Sequence, residues 1–134
     1  MDLHLRGKRA LITGASKGIG AAVAEALAEE GCNLHLAARN TAAMEALAAR
    51  LSAAHGVDVT VHSADLRDAG ALALLAADSA DSAILVNNAG DIPSGSLDSV
   101  DEATWRRAWD LKVFGYINLA RLLYTPMKAR GDGA

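Results

Sequence analysis

Three glycines near the N-terminus are spaced as in a turn that could bind phosphate. Gly14, Gly18 and Gly20 follow the apolar segment 9–13 in the pattern G-x-x-x-G-x-G. A tight turn, the approach of a pyrophosphate and the packing of a helix on a strand each need a residue without a Cβ. The N-terminus of the following helix adds free N–H groups and a partial positive charge. The pattern predicts a dinucleotide site, although an ordinary glycine-rich turn between a strand and a helix would show the same glycines.

Two other nucleotide-binding loops fit this segment poorly. A Walker loop needs Gly-Lys-Ser/Thr, whereas Lys17 precedes its glycine. A methyltransferase loop usually carries an acid just before its first glycine, where this chain has Thr13. The turn of a dinucleotide-binding unit is therefore the better interpretation.

The elements that must position this turn alternate between strands and helices. Apolar runs predict strands over 9–13, 33–38, 58–63 and 83–87, and helical patterns predict helices over 19–30, 41–55, 69–77 and from 102 to 123 or beyond. The expected helix starts are Asn40 or Thr41, Asp68, and a capping box from Ser99 to Glu102. Strands that alternate with helices predict right-handed β-α-β units, and uniformly apolar strands indicate helices on both faces. We therefore expect one α/β domain, residues 1–134, with a doubly wound parallel sheet.

The composition excludes several classes of protein. Lys plus Arg number 13 and Asp plus Glu 16, so the net charge of −3 gives no reason to expect a nucleic-acid partner. The single cysteine, Cys32, cannot form an internal disulfide, which fits a reducing cytoplasm. The histidines at 4, 35, 55 and 62 lack metal-ligand spacing, so we expect no metal site. No apolar run is long enough to span a bilayer and no targeting segment is visible, so we expect a soluble, cytoplasmic protein without a membrane partner.

Three further segments complete a family resemblance. Arg39 ends the second predicted strand, Asp65-Leu66 follows the third, and Asn87-Asn88-Ala89-Gly90 ends the fourth. Together with the glycine turn, these segments resemble the short-chain dehydrogenase/reductase family over essentially the whole chain. The resemblance implies the cofactor-binding half of a Rossmann-type fold, with its first four strands and their helices only. It also implies that the domain is incomplete on its C-terminal side.

The resemblance implies a role for each segment. The glycine turn would surround the pyrophosphate and ribose with Gly14, Ser16, Gly18, Ile19 and Gly20. Asp65 would accept a hydrogen bond from the adenine amino group beside the Leu66 backbone, although alone it would be interpreted as a turn residue or helix cap. The last segment would line the ribose and nicotinamide side with Asn88, Ala89 and Gly90. Asn87 would tie neighbouring strands together.

The end of the second strand indicates which nicotinamide cofactor is preferred. An acid there would bind the ribose 2′-hydroxyl of NAD and repel a 2′-phosphate. This chain has Ala38 at that place, Arg39 after it and Lys17 in the glycine turn. Two cations and no anion suit a 2′-phosphate, which a guanidinium binds bidentately. We therefore expect NADP(H) to be preferred over NAD(H), the alternative being that both cations are solvated surface charges.

The resemblance implies hydride transfer between nicotinamide and a carbonyl or alcohol carbon of a small molecule. The family's catalytic Ser and Tyr-x-x-x-Lys follow a fifth strand and are not found in this chain, so we expect residues 1–134 alone to be inactive. Tyr124 and Lys128 match that spacing, but they precede the place of the fifth strand, and we expect Pro126 to disturb their helix. The alternative function is a non-catalytic dinucleotide-binding module that senses the cofactor.

Lys112 departs from the family pattern. It stands where the stretch Asp-x-Asn-x-x-Gly commonly has the asparagine of a proton relay. Helical spacing puts it on one face with Trp105, Trp109 and Tyr116. We therefore consider Lys112 a candidate catalytic residue, the alternatives being a cation–π contact and an extended side chain with its ammonium in water. The resemblance also implies that this last helix supports homo-oligomer contacts in the full-length form.

The end of the chain leads to an expectation about stability. The sequence stops at Ala134, where a fifth strand would begin, so we expect the apolar edge 83–86 to be unpaired. Such an edge favours association, and we expect the segment to be poorly stable as a monomer.

Overall fold

The computed structural model describes residues 1–134 as a four-stranded parallel sheet flanked by helices. In chain order the elements are β1 (Arg9–Thr13), α1 (Gly18–Glu29), β2 (Asn33–Ala38), α2 (Thr41–His55), β3 (Val59–Ser63), α3 (Ala69–Asp78), β4 (Ile84–Val86), α4 (Glu102–Trp109), a π-helical segment (Asp110–Gly115) and α5 (Tyr116–Arg130). The strand order is β3-β2-β1-β4, and all neighbouring strands are parallel. This confirms the predicted alternation of strands and helices and the Rossmann-type α/β fold.

β1 is the strand at which the order of the sheet reverses. β2 and β3 extend the sheet on one side of β1, and β4 lies on its other side. Ligands of open α/β sheets bind outside the carboxyl ends of the strands at such a reversal. The fold therefore brings the glycine turn after β1 beside the segment 87–90 after β4.

Two apolar cores hold the sheet, one on each face. The first contains Ile12 and Leu36 of the strands with Met44 of α2. The second contains Leu11 of β1 with Leu119 of α5. Because helices cover both faces, residues 10–13 of β1 and 34–37 of β2 are buried without alternation.

Side chains cap three of the helices. Asn40 and Asp68 accept hydrogen bonds from backbone N–H groups in the first turns of α2 and α3, as predicted. The predicted capping box from Ser99 is wrong. Asp101 caps α4 instead, accepting from the Thr104 N–H at 2.9 Å. The Ser99 hydroxyl is held in the preceding turn, where it accepts from the N–H of Ser96 and donates to its carbonyl.

The last helix is interrupted, unlike the single α-helix that the sequence predicts. The segment Asp110–Gly115 is π-helical, and wide turns of this kind are frequent at functional sites. A Cβ placed on Gly115 would lie 3.1 Å from the Leu66 carbonyl oxygen. The helix therefore passes close to the backbone that follows β3.

Pro126 does not disturb α5 as expected. The helix includes this proline and continues to Arg130. Leu119 and Leu123 of the same helix are fully buried. Their packing against the sheet holds the helix although proline lacks the N–H that its ladder requires.

The edge of β4 is partly covered. The Ala134 N–H donates to the Ala83 carbonyl, and the Leu85 N–H donates to the Ala134 carbonyl, each at 2.8 Å. The expectation of an unpaired edge over 83–86 is wrong at these two positions, because the chain returns to β4 after α5. The expected instability of the monomer stays a prediction.

None of the helices combines the length and the apolar character that crossing a membrane requires. The expected cytoplasmic location stays a prediction.

Candidate cofactor-binding site

A cleft of about 590 Å³ lies at the carboxyl ends of the strands. It collects eleven of the twelve expected cofactor residues, namely Gly14, Ser16, Lys17, Gly18, Ile19, Arg39, Asp65, Leu66, Asn88, Ala89 and Gly90. Ala38, which the sequence analysis places where an acid would select NAD, also lines the cleft. The lining residues that the sequence did not assign to the site are Ala37, Asn40, Ala43, Ala64, Arg67 and Leu111. The segments picked from separate parts of the sequence therefore meet in one place.

Gly20 is the expected cofactor residue that does not line the cleft. A Cβ there would lie 2.3 Å from the Gly14 carbonyl oxygen and 2.6 Å from Asn88 Nδ2. No side chain fits at that separation. Gly20 therefore lets α1 pack directly under the turn, while the turn itself faces the cleft.

The turn leaves the N-terminus of α1 open. Gly14 and Gly18 have φ of +65° and +58°, values that residues with a side chain rarely adopt. Lys17 is the N-cap residue of α1, and its side chain makes no capping hydrogen bond. The first N–H groups of α1 therefore have no side-chain acceptor and can donate to an anion.

A buried hydroxyl joins this turn to the end of β4. Thr13 Oγ1 accepts from the N–H groups of Asn88 and Ala89, both at 3.0 Å, and donates to the Val86 carbonyl at 3.3 Å. Asn88 Nδ2 donates to the carbonyls of Thr13 and Gly14. The two sides of the cleft are therefore fixed by hydrogen bonds from both strand ends.

Asn87 has a different role from the one that the resemblance implied. Its Nδ2 donates to the Tyr116 carbonyl at 3.4 Å, so it ties β4 to α5. The tie between neighbouring strands is made by Asn88, because only its side chain faces the turn after β1. The Tyr116 hydroxyl donates to the Ala89 carbonyl at 2.6 Å, which holds the same segment from the helix side.

The charged groups of the cleft are mainly cations. Lys17 and Arg39 are exposed, and Arg67 lines the cleft beside them. Asp65 is the one acid among the lining residues. Hydrogen bonds from Arg67, with the positive charge of Arg39 nearby, lower the pKa of the Asp65 carboxyl. The cleft therefore presents an excess of positive charge to a ligand.

Lys112 lies at the edge of this site and does not line the cleft. Its Nζ is 5.3 Å from the centroid of the Tyr116 ring, a cation–π contact of the kind that the sequence analysis gives as an alternative to a catalytic role. The same Nζ is 3.7 Å from the place where a Cβ on Gly90 would lie. The π-helical segment thus sets an exposed ammonium beside the 87–90 segment.

Tyr124 and Lys128 are outside the cleft. Tyr124 is 61% exposed, and Lys128 Nζ lies 5.9 Å from its ring centroid. Neither lines the cavity, so this pair is an exposed contact on α5.

One cluster away from the cleft has metal-ligating groups that the sequence did not bring together. Ligand atoms of Glu25, Glu29 and His55 lie within 4.8 Å of one another. However, Arg50 already donates to both carboxylate oxygens of Glu25, at 2.6 and 3.2 Å. Glu25 is therefore engaged in an ion pair.

Comparison with known proteins agrees with this arrangement. Residues 8–134 match the family model for short chain dehydrogenases. Over 133 residues the chain is 35% identical to 2-keto-3-deoxy-L-fuconate dehydrogenase of Xanthomonas campestris pv. campestris, covering 99% of this chain and 43% of that protein. Over 134 residues it is 37% identical to galactitol 2-dehydrogenase (L-tagatose-forming) of Cereibacter sphaeroides, covering 98% and 52%.

A solved structure shows the same likeness in three dimensions. L-Sorbose reductase from Gluconobacter frateurii, complexed with NADPH and L-sorbose, matches with a TM-score of 0.94 and 34% identity. That match covers 99% of this chain and 52% of the reductase. The chain thus spans about half the length of the relatives it matches. The match of the family model to nearly all of the residues, together with these relatives, shows that the chain belongs to the short-chain dehydrogenase family.

Proposed function

We propose that residues 1–134 bind NADP(H) and form the cofactor half of an oxidoreductase. In the whole protein, hydride would pass between the nicotinamide and a carbonyl or alcohol carbon of a small molecule. The observation that carries this proposal is one cleft that joins the glycine turn, the cations after β2, Asp65 and the segment 87–90. The crystal structure of L-sorbose reductase, a relative with the same fold, contains bound NADPH.

The position of each part of the cofactor follows from the chemistry of the lining residues and from the family resemblance. The pyrophosphate would lie at the open N-terminus of α1, where backbone N–H groups of the glycine turn donate. The adenine would lie towards Asp65 and the Leu66 backbone. The nicotinamide ribose would lie along Asn88, Ala89 and Gly90, which the Thr13 hydroxyl and Asn88 side chain hold in place.

The preference for NADP(H) rests on the end of β2. Ala38 stands where an acid would bind the 2′-hydroxyl, and Arg39 and Lys17 line the cleft next to it. A charge-assisted, bidentate hydrogen bond from Arg39 to the 2′-phosphate supplies about 1.5–3 kcal/mol. NADH, which lacks that phosphate, gains nothing from this contact.

The test is a titration of NADPH and NADH into the wild-type protein and the Arg39→Ala variant. We expect the variant to bind NADPH about 10–100-fold more weakly and NADH about as well as before. Arg121→Ala is the matched control, since Arg121 is exposed on α5 and does not line the cleft. An equal loss of both cofactors in Arg39→Ala would contradict the proposed 2′-phosphate contact.

Lys112 is proposed to take the place of the relay asparagine in the whole protein. Its exposed ammonium beside the 87–90 segment supports this role. Residues 1–134 alone are expected to bind the cofactor without turning it over. Tight binding without turnover by the whole protein would instead favour the alternative, a dinucleotide-binding sensor.

We also propose that the whole protein is a homo-oligomer. Trp105, Trp109, Phe114 and Ile117 are 41–55% exposed along α4, the π-helical segment and α5. Exposed apolar patches of this kind commonly mark interaction sites. Sedimentation velocity would test this proposal, and a monomer at micromolar concentration would contradict it.

A further inference from the structure

Arg67 is the lining residue whose chemistry the proposed function does not yet use. It lies two residues after Asp65, in the turn between β3 and α3. Its backbone N–H donates to Asp65 Oδ1 at 3.1 Å, its Nε to the same oxygen at 3.0 Å and its Nη2 to Oδ2 at 3.4 Å. The side chain of Arg67 is 22% exposed and that of Asp65 is 45% exposed. The guanidinium thus holds both carboxylate oxygens at the wall of the cleft.

From this geometry we infer that Arg67 is a positioning residue for adenine recognition, acting through Asp65. The inference rests on the proposed binding of NADP(H) and concerns the adenine end of that same site. It goes beyond the role of Asp65, because it assigns the orientation of the carboxylate to a neighbouring side chain.

The unequal bonding of the two carboxylate oxygens supports this role. Oδ1 accepts two hydrogen bonds, whereas Oδ2 accepts one long one. A carboxylate oxygen has about two lone-pair sites. Oδ2 therefore keeps the capacity to accept from a ligand amino group while Oδ1 is fully engaged.

The surroundings leave Arg67 as the group that can fix this carboxylate. Arg39, the other nearby cation, acts on Asp65 only through its charge. Asp68 is already occupied as the N-cap of α3, and Asp91 and Asp110 influence Arg67 only at longer range. Without Arg67, the half-exposed Asp65 would be free to turn towards Arg39 and compete with the 2′-phosphate for it.

An ionised, fixed carboxylate distinguishes donors from acceptors. The 6-amino group of adenine donates a hydrogen bond to it, whereas the 6-oxo group of hypoxanthine presents an acceptor. Recognition through Asp65 therefore favours adenine over hypoxanthine. A loosely held carboxylate loses part of this preference, because it pays ordering entropy on binding.

The experiment compares NADPH with its hypoxanthine analogue, in which oxygen replaces the 6-amino group, by isothermal titration calorimetry. We expect the wild-type protein to bind NADPH more tightly than the analogue. Arg67→Gln should reduce the ratio of the analogue's dissociation constant to that of NADPH by about tenfold. Arg67→Lys keeps the charge but not the planar fork, so its ratio should be intermediate. Arg50→Gln is the matched control, since the Arg50 guanidinium also donates to both carboxylate oxygens of an acid, Glu25, but outside the cleft.

A double-mutant cycle separates positioning from a general structural role. In an Asp65→Asn background, Arg67→Gln should leave the ratio unchanged, because Arg67 acts through the carboxylate. A wild-type ratio that persists in Arg67→Gln and in Arg67→Lys would overturn the inference while NADPH binding, and so the proposed function, stands. Equal binding of the two dinucleotides by the wild-type protein would overturn it in the same way. Failure of the wild-type protein to bind either one would instead refute the proposed function, and the inference with it.

Discussion

Replacing Thr13 with valine should remove the hydrogen bonds of its hydroxyl, which join the two strand ends that form the cleft. Valine has nearly the shape of threonine but lacks the hydroxyl, which is fully buried and accepts from two backbone N–H groups. The Ala89 N–H lies in a buried residue and would lose its acceptor, while Asn88 is only partly buried. A buried N–H without a partner costs about 1–3 kcal/mol.

We therefore expect Thr13→Val to lower the free energy of unfolding by about 2–3 kcal/mol, with the Ala89 N–H supplying most of the loss. Thr13→Ser is the matched control, because it keeps the hydroxyl and loses one methyl group, at a cost of about 1 kcal/mol. Urea denaturation followed by circular dichroism measures both free energies of unfolding, and the dependence on urea concentration should be the same for both variants. A Thr13→Val loss no larger than that of Thr13→Ser would refute the role assigned to the hydroxyl.

Gly20→Ala should lower the free energy of unfolding by about 1–3 kcal/mol and weaken NADPH binding, because its Cβ would meet the Gly14 carbonyl oxygen at 2.3 Å. Gly56→Ala, whose Cβ would meet open space, should leave NADPH binding unchanged in the same titration. Burial lowers the pKa of His62 below its ordinary 6.5, and the positive charge of His35 lowers it further. The negative charges of Asp78 and Asp81 raise it by less. The unfolded chain then binds the proton more readily, so the melting temperature should fall as pH drops below about 6.5 and level off once the folded pKa is passed. His62→Asn should flatten that fall, and a fall in thermal melts as steep as that of the wild-type protein would contradict this. In the whole protein, Lys112→Asn should change kcat while the dissociation constant of NADPH stays within about twofold, and an unchanged pH–rate profile would argue against a relay role.

The periodicity of the sequence was sufficient for the alternation of strands and helices and for the parallel sheet. The strand order β3-β2-β1-β4, with its reversal at β1, was not predicted and is known only from the structure. The resemblance to the short-chain dehydrogenase/reductase family implied that Arg39, Asp65 and Asn88 face one cofactor, and in the structure all three line one cleft.

The contacts within the site depend on details that spacing does not carry. The Thr13 hydroxyl bonds to the end of β4 only because β4 is its neighbour in the sheet. Ser99 and Asp101 are both good capping residues, and the turn at Ser96 decides between them. The π-helical segment coincides with the close approach of Gly115 to the Leu66 carbonyl, a tertiary contact that helical periodicity does not show.

The direct test of the central claim is the affinity of the wild-type protein for NADPH and NADH, measured by calorimetry in the same buffer at physiological salt. We expect NADPH to bind at least about tenfold more tightly, because Arg39 and Lys17 contribute binding free energy to the 2′-phosphate. Equal affinities, tighter binding of NADH, or no binding of either dinucleotide would contradict it.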